Sequence, residues 1–407
     1  MKILTMKIKF CSEYFVDRYF FSIKNTIMKR FFIYVAFSFF CLVSQALGAD
    51  DFVRFSNRFS ILLFNKSVSS NSVKDTANFC LCPPLTQTQG GAFCFAGGGE
   101  NLAKAFFLNP SSGDFYGRFA EGLKVRKGGI SLESAVFSRR FLPLKKAYSE
   151  ILKNFSLSAE SFNPALADVA AIKISQWFDW VSLGVQKDVF KPENVSENAD
   201  FMLASSAVFN FDFVLPNGFA DLKFTFKNGK VVDKKAMVFT DDAAVGEFKD
   251  FDAAVLNVKN TGFSIVFIKP KNFERAKEML SKLDAESFEN AFNVLKMLAN
   301  SAEFRLIVPK FKLDSALMNL NAAMESIGAE TIFGKTEYPK FSDEKLNVGN
   351  VFQAAFLSMR PAASGTGLSK SDFAKTLVLD RPFAVMVCES KTGRIIFLGA
   401  VENPKAN

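Results

Sequence analysis

The chain has 407 residues, with 50 basic and 41 acidic side chains, six cysteines and no histidine. A hydrophobic fraction of 49% beside 22% charged residues is typical of a globular protein and excludes wholesale disorder. The lack of histidine excludes Ser–His–Asp and Cys–His nucleophile pairs, a histidine general base and a histidine-ligated metal.

The N-terminal region carries the pattern of a secretory signal peptide. Met28-Lys29-Arg30 precedes an apolar run, Phe31–Val43, broken only by Ser38 and followed by small residues up to Ala49. The run is shorter than the about 20 residues of a membrane span, so we expect no stable span; an uncleaved anchor is the alternative. Residues 28–49 are therefore predicted to be a signal peptide, and 1–27 an upstream extension or a mis-assigned start. The predicted location is extracellular, or periplasmic in a bacterium.

Removal of residues 1–49 would leave 43 basic and 39 acidic side chains, a net charge of +4. This balance gives no reason to expect nucleic-acid binding.

Four cysteines remain after removal of residues 1–49: Cys80, Cys82, Cys94 and Cys388. They are either buried free thiols or include one disulfide with Cys388 as a candidate partner. A metal site is disfavoured because histidine and Cys-x-x-Cys spacing are both missing, and no cofactor is expected.

Helices dominate the predicted elements of the first half. Apolar spacing predicts an amphipathic helix over 52–68 and a short strand over Phe79–Leu81. A further strand and two helices follow: Gly128–Phe137, Leu144–Asn154 and Ala165–Leu183. We place Ile172, Trp177, Trp180 and Val181 on the apolar side of the last helix.

Strands dominate the middle and the end. Phe201–Phe213 reads as a buried strand, and Asn228-Gly229 is a hairpin signal within a succession of short strands: Phe219–Phe226, Val231–Phe239, Phe251–Val258 and Ser264–Ile268. The remaining predicted elements are a helix over Asn272–Asn300, a strand over Glu303–Pro309, a helix over Leu313–Ile327, and strands over Val385–Cys388 and Arg394–Val401. No repeat or linker divides them, so we expect a single mixed α/β domain over 50–407.

Three C-terminal motifs carry a family resemblance. Phe304–Lys312 contains a "PKF" segment, Leu317–Phe333 resembles a short helix with its glycine-containing end, and Asp380–Phe383 is followed by Gly393–Pro404. Together these motifs resemble the serpin family. The likeness extends over about 52–405 and is strongest at 304–334 and 380–404.

The resemblance implies a fold of three β-sheets and eight or nine helices, with an exposed reactive loop near the C-terminus. In this family a protease cuts the loop, whose N-terminal part then inserts into the largest sheet and distorts the acyl-linked protease. The implied protein is a monomer and not an enzyme. Its implied partner is a serine or cysteine protease.

The loop falls at about 360–376, between the strand Val351–Met359 and Leu377–Leu379. Insertion requires small side chains, and the hinge predicted on that basis is Pro361, Ala362, Ala363, Ser364, Gly365, Thr366 and Gly367. Pro361 stands where inhibitory relatives carry an acidic residue, and the loop is about six residues shorter, which removes roughly 20 Å of reach. Two functions therefore remain open. One is a secreted serine-type endopeptidase inhibitor, and the other is a non-inhibitory serpin-fold binding protein whose hinge does not insert.

The candidate scissile bond lies about a dozen residues before Pro382. Lys370-Ser371 is the first choice and would suit a trypsin-like protease, and Leu368-Ser369 is the runner-up. The alternative is that Lys370 is an ordinary solvated charge. Phe213 stands at the position where the family usually has a tryptophan.

Overall fold

A computed structural model of the chain describes residues 51–70, 77–108, 118, 123–240, 242–272, 275–299, 304–365, 373 and 375–405. The predicted signal peptide, 28–49, and the extension 1–27 lie outside these ranges. The helices are α1 (51–70), α2 (Pro83–Phe93), α3 (Gly99–Ala105), α4 (Lys146–Asn154), α5 (Ala167–Val181), α6 (Ala276–Lys282), α7 (Ala285–Leu298) and α8 (Asn321–Glu325). A π-helical turn, Cys94–Gly98, joins α2 to α3.

The strands of the first half are β1 (Phe79–Leu81), β2 (Val125–Lys127), β3 (Ile130–Arg139), β4 (Ser158–Phe162), β5 (Phe201–Asn210), β6 (Gly218–Thr225), β7 (Val231–Phe239), β8 (Ala243–Glu247), β9 (Phe251–Val258) and β10 (Phe263–Pro270). Those of the second half are β11 (Phe304–Pro309), β12 (Phe311–Asn319), β13 (Thr336–Glu337), β14 (Lys345–Leu346), β15 (Val348–Met359), β16 (Lys375–Val378), β17 (Phe383–Glu389) and β18 (Ile395–Val401).

Three large sheets organise these strands. The main sheet has the order β12-β15-β5-β3-β2, with β4 also paired to β3. The second sheet runs β1-β18-β17-β10-β9-β8 and the third β16-β11-β7-β6, while β13 and β14 form a small separate ladder. The predicted mixed α/β class with three sheets is confirmed, and the number of helices is close to the eight or nine expected.

The helix α2 lies in the core between the main and second sheets. All eleven of its residues are buried, including Gln87 and Gln89. The chain enters it through Pro83 and Pro84, which suit the first helical turn because the amide donors there have no intrahelical partner. A Cβ at Gly90 would lie 2.3 Å from the Phe106 ring, so only glycine lets these two segments approach so closely.

The helix α5 lies across the main sheet. Trp177 and Phe178 face the sheet, and the Trp177 ring packs edge-to-face on Phe137 at 5.8 Å between centroids. The predicted inward placement is confirmed for Trp177 and Val181 and wrong for Ile172 and Trp180, which are 59% and 63% exposed. Both lie off the 3.6-residue stripe of the buried positions. The Arg126 guanidinium covers the Trp180 ring at 4.0 Å.

Two predicted helices differ from the structure. The segment predicted as a helix over Leu313–Ile327 is mostly the strand β12, and only α8 is helical. Its inward residues Phe311, Leu313 and Ser315 alternate with more exposed ones, and pairing with β15 favours the extended conformation over helical spacing.

The predicted helix over Asn272–Asn300 is broken between α6 and α7. Leu283 is extended there, and Asp284 caps α7 by accepting a hydrogen bond from the Ser287 amide at 2.8 Å. The predicted strand Phe201–Phe213 likewise ends earlier, at Asn210, where the chain turns away from the sheet.

The thiols of Cys80, Cys82, Cys94 and Cys388 are free, which corrects the disulfide alternative. Burial raises the pKa of Cys80 to about 12, so this thiol stays protonated and unreactive at neutral pH.

Within the described ranges, no group of three or more His, Cys, Asp or Glu side chains could hold a metal. Over the same residues, no helix has both the length and the apolar character needed to cross a bilayer.

A buried carboxyl follows the last strand. Glu402 accepts a hydrogen bond from the Lys277 amide in the first turn of α6 at 3.1 Å, yet burial raises the pKa of Glu402 to about 7. Its pKa in the folded state thus exceeds the unfolded value, so its contribution to stability is complete at low pH and is lost as pH rises through 7.

Replacing Glu402 with glutamine should remove this pH dependence. We expect Glu402→Gln to match the wild type near pH 4.5 and to exceed it by up to about 3 kcal/mol at pH 8, because the charged form is no longer buried. Urea unfolding at several pH values measures the difference. Parallel pH profiles for the two proteins would contradict the assignment.

Candidate functional site

The centre of the main sheet contains a parallel junction. The strand β15 pairs with β5 in parallel, from Val348 opposite Phe201 to Ser358 opposite Asn210. On their outer sides both strands have antiparallel neighbours, β12 beside β15 and β3 beside β5. The chain leaves β15 at Met359 and enters the segment predicted to be the reactive loop. The loop therefore begins at the end of the parallel junction.

An aspartate joins the ends of these two strands. The Oδ1 atom of Asp212, two residues beyond β5, accepts hydrogen bonds from the Arg360 amide at 2.6 Å and the Ser358 hydroxyl at 2.8 Å. The Arg360 Nε donates to the same hydroxyl at 2.9 Å, and its Nη2 lies 3.9 Å from Asp212 Oδ2. We call this set of contacts the Asp212 clamp. It holds the first loop residue against the end of β5.

The next loop residue is held from the third sheet. Pro361 is buried, and its carbonyl oxygen accepts a hydrogen bond from Lys310 Nζ at 2.6 Å. The Lys310 ammonium also lies 4.3 Å from the centroid of the Phe219 ring. Lys310 belongs to the "PKF" segment, so this motif supplies a cation to the loop. Pro361 has no charged side chain, so Lys310 binds its backbone carbonyl oxygen. An acidic residue at this position would present a carboxylate to the same ammonium.

The described part of the hinge is open to solvent beyond Pro361. Ala362, Ala363, Ser364 and Gly365 are exposed, and the Gly365 amide donates to the Pro216 carbonyl at 2.7 Å. The other predicted hinge residues, Thr366 and Gly367, lie outside the described residues. So do both candidate scissile bonds, Lys370-Ser371 and Leu368-Ser369.

The chain returns from the loop into the third sheet. The strand β16 pairs in parallel with β11, and Lys375 Nζ forms an ion pair with Glu247 Oε1 at 3.0 Å. The guanidinium of Arg305 lies 5.9 Å from the Phe373 ring centroid. Both ends of the loop are therefore fixed to strands, with fifteen residues, 360–374, between β15 and β16.

A buried glutamine connects the parallel junction to the core. The Oε1 atom of Gln353 accepts from the Cys82 amide at 2.6 Å, and its Nε2 donates to the Cys82 carbonyl at 3.0 Å. The same Nε2 lies 3.0 Å from Ser205 Oγ on β5 and 3.3 Å from Thr86 Oγ1 on α2. One amide group on β15 thus ties this strand to β5 and to the start of α2.

Gln353, Asp212 and Lys310 hold the strands and the loop root together but are not singled out by the sequence alone. For Gln353 a signal existed, since it is a single amide in the apolar run Val351–Phe356 and strand alternation places it on the same face as the inward Val351 and Ala355. No such signal marks Asp212, because its partners lie almost 150 residues away in the sequence. Phe213, predicted at the position of the family's tryptophan, is half-exposed and lies 6.2 Å from the Phe211 ring.

Comparison with known proteins places this architecture in a family. A family model described as Serpin (serine protease inhibitor) matches residues 56–404. Serpin-Z1C of Triticum aestivum is 22% identical over 383 residues, which cover 85% of this chain and 95% of that protein. The chain belongs to the serpin family.

Two further matches agree with this assignment. A protein of Cyanea capillata named serine protease inhibitor is 22% identical over 275 residues, covering 64% of this chain and 72% of that protein. The crystal structure of native protease nexin-1 with heparin superposes with a TM-score of 0.73 at 15% identity, covering 88% of this chain and all of that one. The structural match shows that the two proteins share a fold.

Loss of the Gln353 amide should destabilise the closed junction. We expect Gln353→Met to lower the free energy of unfolding by about 1–3 kcal/mol, because the buried Cys82 amide loses its acceptor and the Cys82 carbonyl keeps only its bond from the Leu85 amide. Urea denaturation measures the change. The matched control is Gln176→Met on the exposed side of α5, which should lie within about 0.5 kcal/mol of the wild type. Equal effects of the two substitutions would contradict a role for Gln353 in the junction.

Proposed function

We propose that this serpin is a secreted serine-type endopeptidase inhibitor that acts by cleavage and insertion of its loop. The observation that carries the proposal is the parallel pairing of β5 and β15 beside the root of the loop. A strand that runs opposite to β15 would also run opposite to β5. Insertion of such a strand replaces one parallel junction with two antiparallel ones, whose pairing is slightly more stable per residue.

The loop is connected so that it can supply this strand. After cleavage, the segment beyond Met359 has only to reverse direction once to run antiparallel beside β15. Pro361 has no amide hydrogen and cannot donate to a ladder, so the inserted strand begins at Ala362. The following residues, Ala362–Gly367, have small side chains and pass between packed strands at low steric cost.

The length of the segment supports insertion despite the short loop. Nine residues from Ala362 to Lys370 extend about 30 Å, against about 40 Å for the twelve residues of β15. An inserted segment of this length pairs along most of the junction. A protease attached at its end would be carried most of the way along the sheet, and this displacement is what would distort its catalytic geometry.

Lys370-Ser371 is the proposed bait. A lysine side chain before the scissile bond fits proteases whose specificity pocket carries a carboxylate, as trypsin-like enzymes do. Leu368-Ser369 is the second choice and would suit a protease with an apolar pocket. The naming of the Cyanea capillata relative as a serine protease inhibitor supports this class of target. Export through residues 28–49 would bring the protein, as a monomer, to extracellular or periplasmic proteases.

Incubation with trypsin tests the proposal. We expect an SDS-stable adduct of inhibitor and trypsin, and we expect Lys370→Ala to abolish it. The matched control is Lys340→Ala, which removes a lysine close to the Phe95 ring in another part of the protein. Cleavage without an adduct would instead identify a non-inhibitory binding protein. An adduct that forms with chymotrypsin alone and is lost in Leu368→Ala would instead identify Leu368-Ser369 as the scissile bond.

The hinge is tested by a bulky charge at a small position. Ala363→Arg should abolish adduct formation while trypsin still cleaves the loop, because an arginine cannot be accommodated between β5 and β15. The same substitution at Ala165, an exposed alanine before α5, should leave the adduct yield unchanged. Quantification of adduct and cleaved product on denaturing gels gives the ratio. An unchanged adduct yield in Ala363→Arg would contradict the placement of the hinge.

A further inference from the structure

A cavity of about 590 Å³ lies next to the Asp212 clamp. Its walls come from the turn between β2 and β3, the end of β5, and the turn between β9 and β10. The cavity is lined, among others, by Val125, Lys127, Asp212, Phe213, Lys259 and Phe263. The volume lies within the range of about 300–1,000 Å³ that is typical of small-molecule sites.

The apolar part of the wall is aromatic. Phe263 is buried and packs edge-to-face on Phe209, with ring centroids 5.7 Å apart. Phe213, by contrast, is 48% exposed even though it directly follows the clamp residue. A ligand with an apolar body would cover the open face of Phe213 and rest on Phe263. Burial of that ring surface is the main favourable contribution that such a ligand would gain.

The charged part of the wall favours an anion. Lys127 and Lys259 line the cavity together with a single acidic residue, Asp212. The Asp212 carboxylate is already engaged by the Arg360 amide and the Ser358 hydroxyl, while Lys259 Nζ lies 2.6 Å from Asp242 Oδ2. Lys127 is exposed at the rim. An acidic group on a ligand would meet the exposed Lys127 directly and would share the Lys259 ammonium with Asp242, without displacing the clamp.

We propose that this cavity binds a small amphipathic anion and that its occupancy stabilises the Asp212 clamp. The apolar body lies against Phe213 and Phe263, and the acidic group lies beside Lys127 and Lys259. Since Asp212 both lines the cavity and holds Arg360, a bound ligand makes separation of the clamp more costly. The binding is independent of the proposed inhibition. The regulatory consequence, a loop root that opens less readily, rests on the proposed function.

Fluorescence titration with 1-anilinonaphthalene-8-sulfonate, an aromatic sulfonate, tests the binding. We expect saturable binding to the purified protein, about five- to tenfold weaker in Lys127→Glu, since a favourable charge becomes a repulsive one. The matched control is Lys223→Glu on the exposed side of β6, with an affinity within twofold of the wild type. Val125→Trp, which fills the cavity, should abolish saturable binding. No saturable binding, or equal affinity in Lys127→Glu and wild type, would overturn the proposal.

Competition separates the acidic group from the apolar body. Decanoate should displace the fluorescent probe, whereas decyltrimethylammonium, with an equally long chain and the opposite charge, should not. Equal displacement by both compounds would overturn the assignment of an anion site.

Hydrogen exchange tests the link to the clamp. A saturating concentration of the fluorescent probe should slow exchange of the Arg360 amide about threefold or more. Unchanged exchange at Arg360 would overturn the coupling while leaving the binding intact. Neither outcome depends on whether the protein inhibits a protease, so failure here is distinguishable from failure of the proposed function.

Discussion

The parallel junction between β5 and β15 is the constraint on which the rest of this serpin depends. It lies in the middle of the main sheet, flanked by the antiparallel neighbours β3 and β12. The junction is fully paired, so the sheet is closed and hydrogen-bonded as it stands. A strand inserted here would pair in antiparallel fashion with β5 on one side and with β15 on the other. The loop that could supply this strand begins where β15 ends. Under the proposed insertion, the closed sheet is complete but less extensively paired than the sheet that includes the loop strand.

A small number of polar contacts keeps the junction closed. Gln353 ties β15 to β5 and α2 from the core side, and the Asp212 clamp ties the two strand ends together at the loop root. Lys310 then fixes the Pro361 carbonyl above the third sheet. Each of these hydrogen bonds contributes about 1–3 kcal/mol net, with the bonds to charged groups at the upper end. The closed state is therefore held by several modest contacts that can be exchanged one after another. This arrangement fits the opening of the sheet that the proposed insertion requires.

Much of the fold could be predicted from the sequence, because the strands of the second sheet are continuous apolar runs and the C-terminal motifs are specific. The errors have physical causes. The segment from Leu313 has apolar spacing that suits a helix, but pairing with β15 makes it a strand. Trp180 is predicted on the apolar side of its helix, yet it lies outside the buried stripe of α5 and stacks under Arg126. At the site, the hinge at 361–367 stays a prediction from its small residues, whereas the partners of Asp212 and Lys310 depend on contacts between distant segments and could not be predicted from the sequence.

The thermal midpoint of the protein before and after cleavage within residues 366–372 shows whether the loop inserts into the main sheet. Insertion of about nine residues would replace the parallel ladder between β5 and β15 with two antiparallel ladders. The net gain is about nine hydrogen bonds, worth roughly 10 kcal/mol. At roughly 1.3 °C per kcal/mol for a domain of about 360 residues, we expect the midpoint to rise by roughly 13 °C. An unchanged or lower midpoint for the cleaved protein would show that the loop stays outside the sheet and would contradict the account.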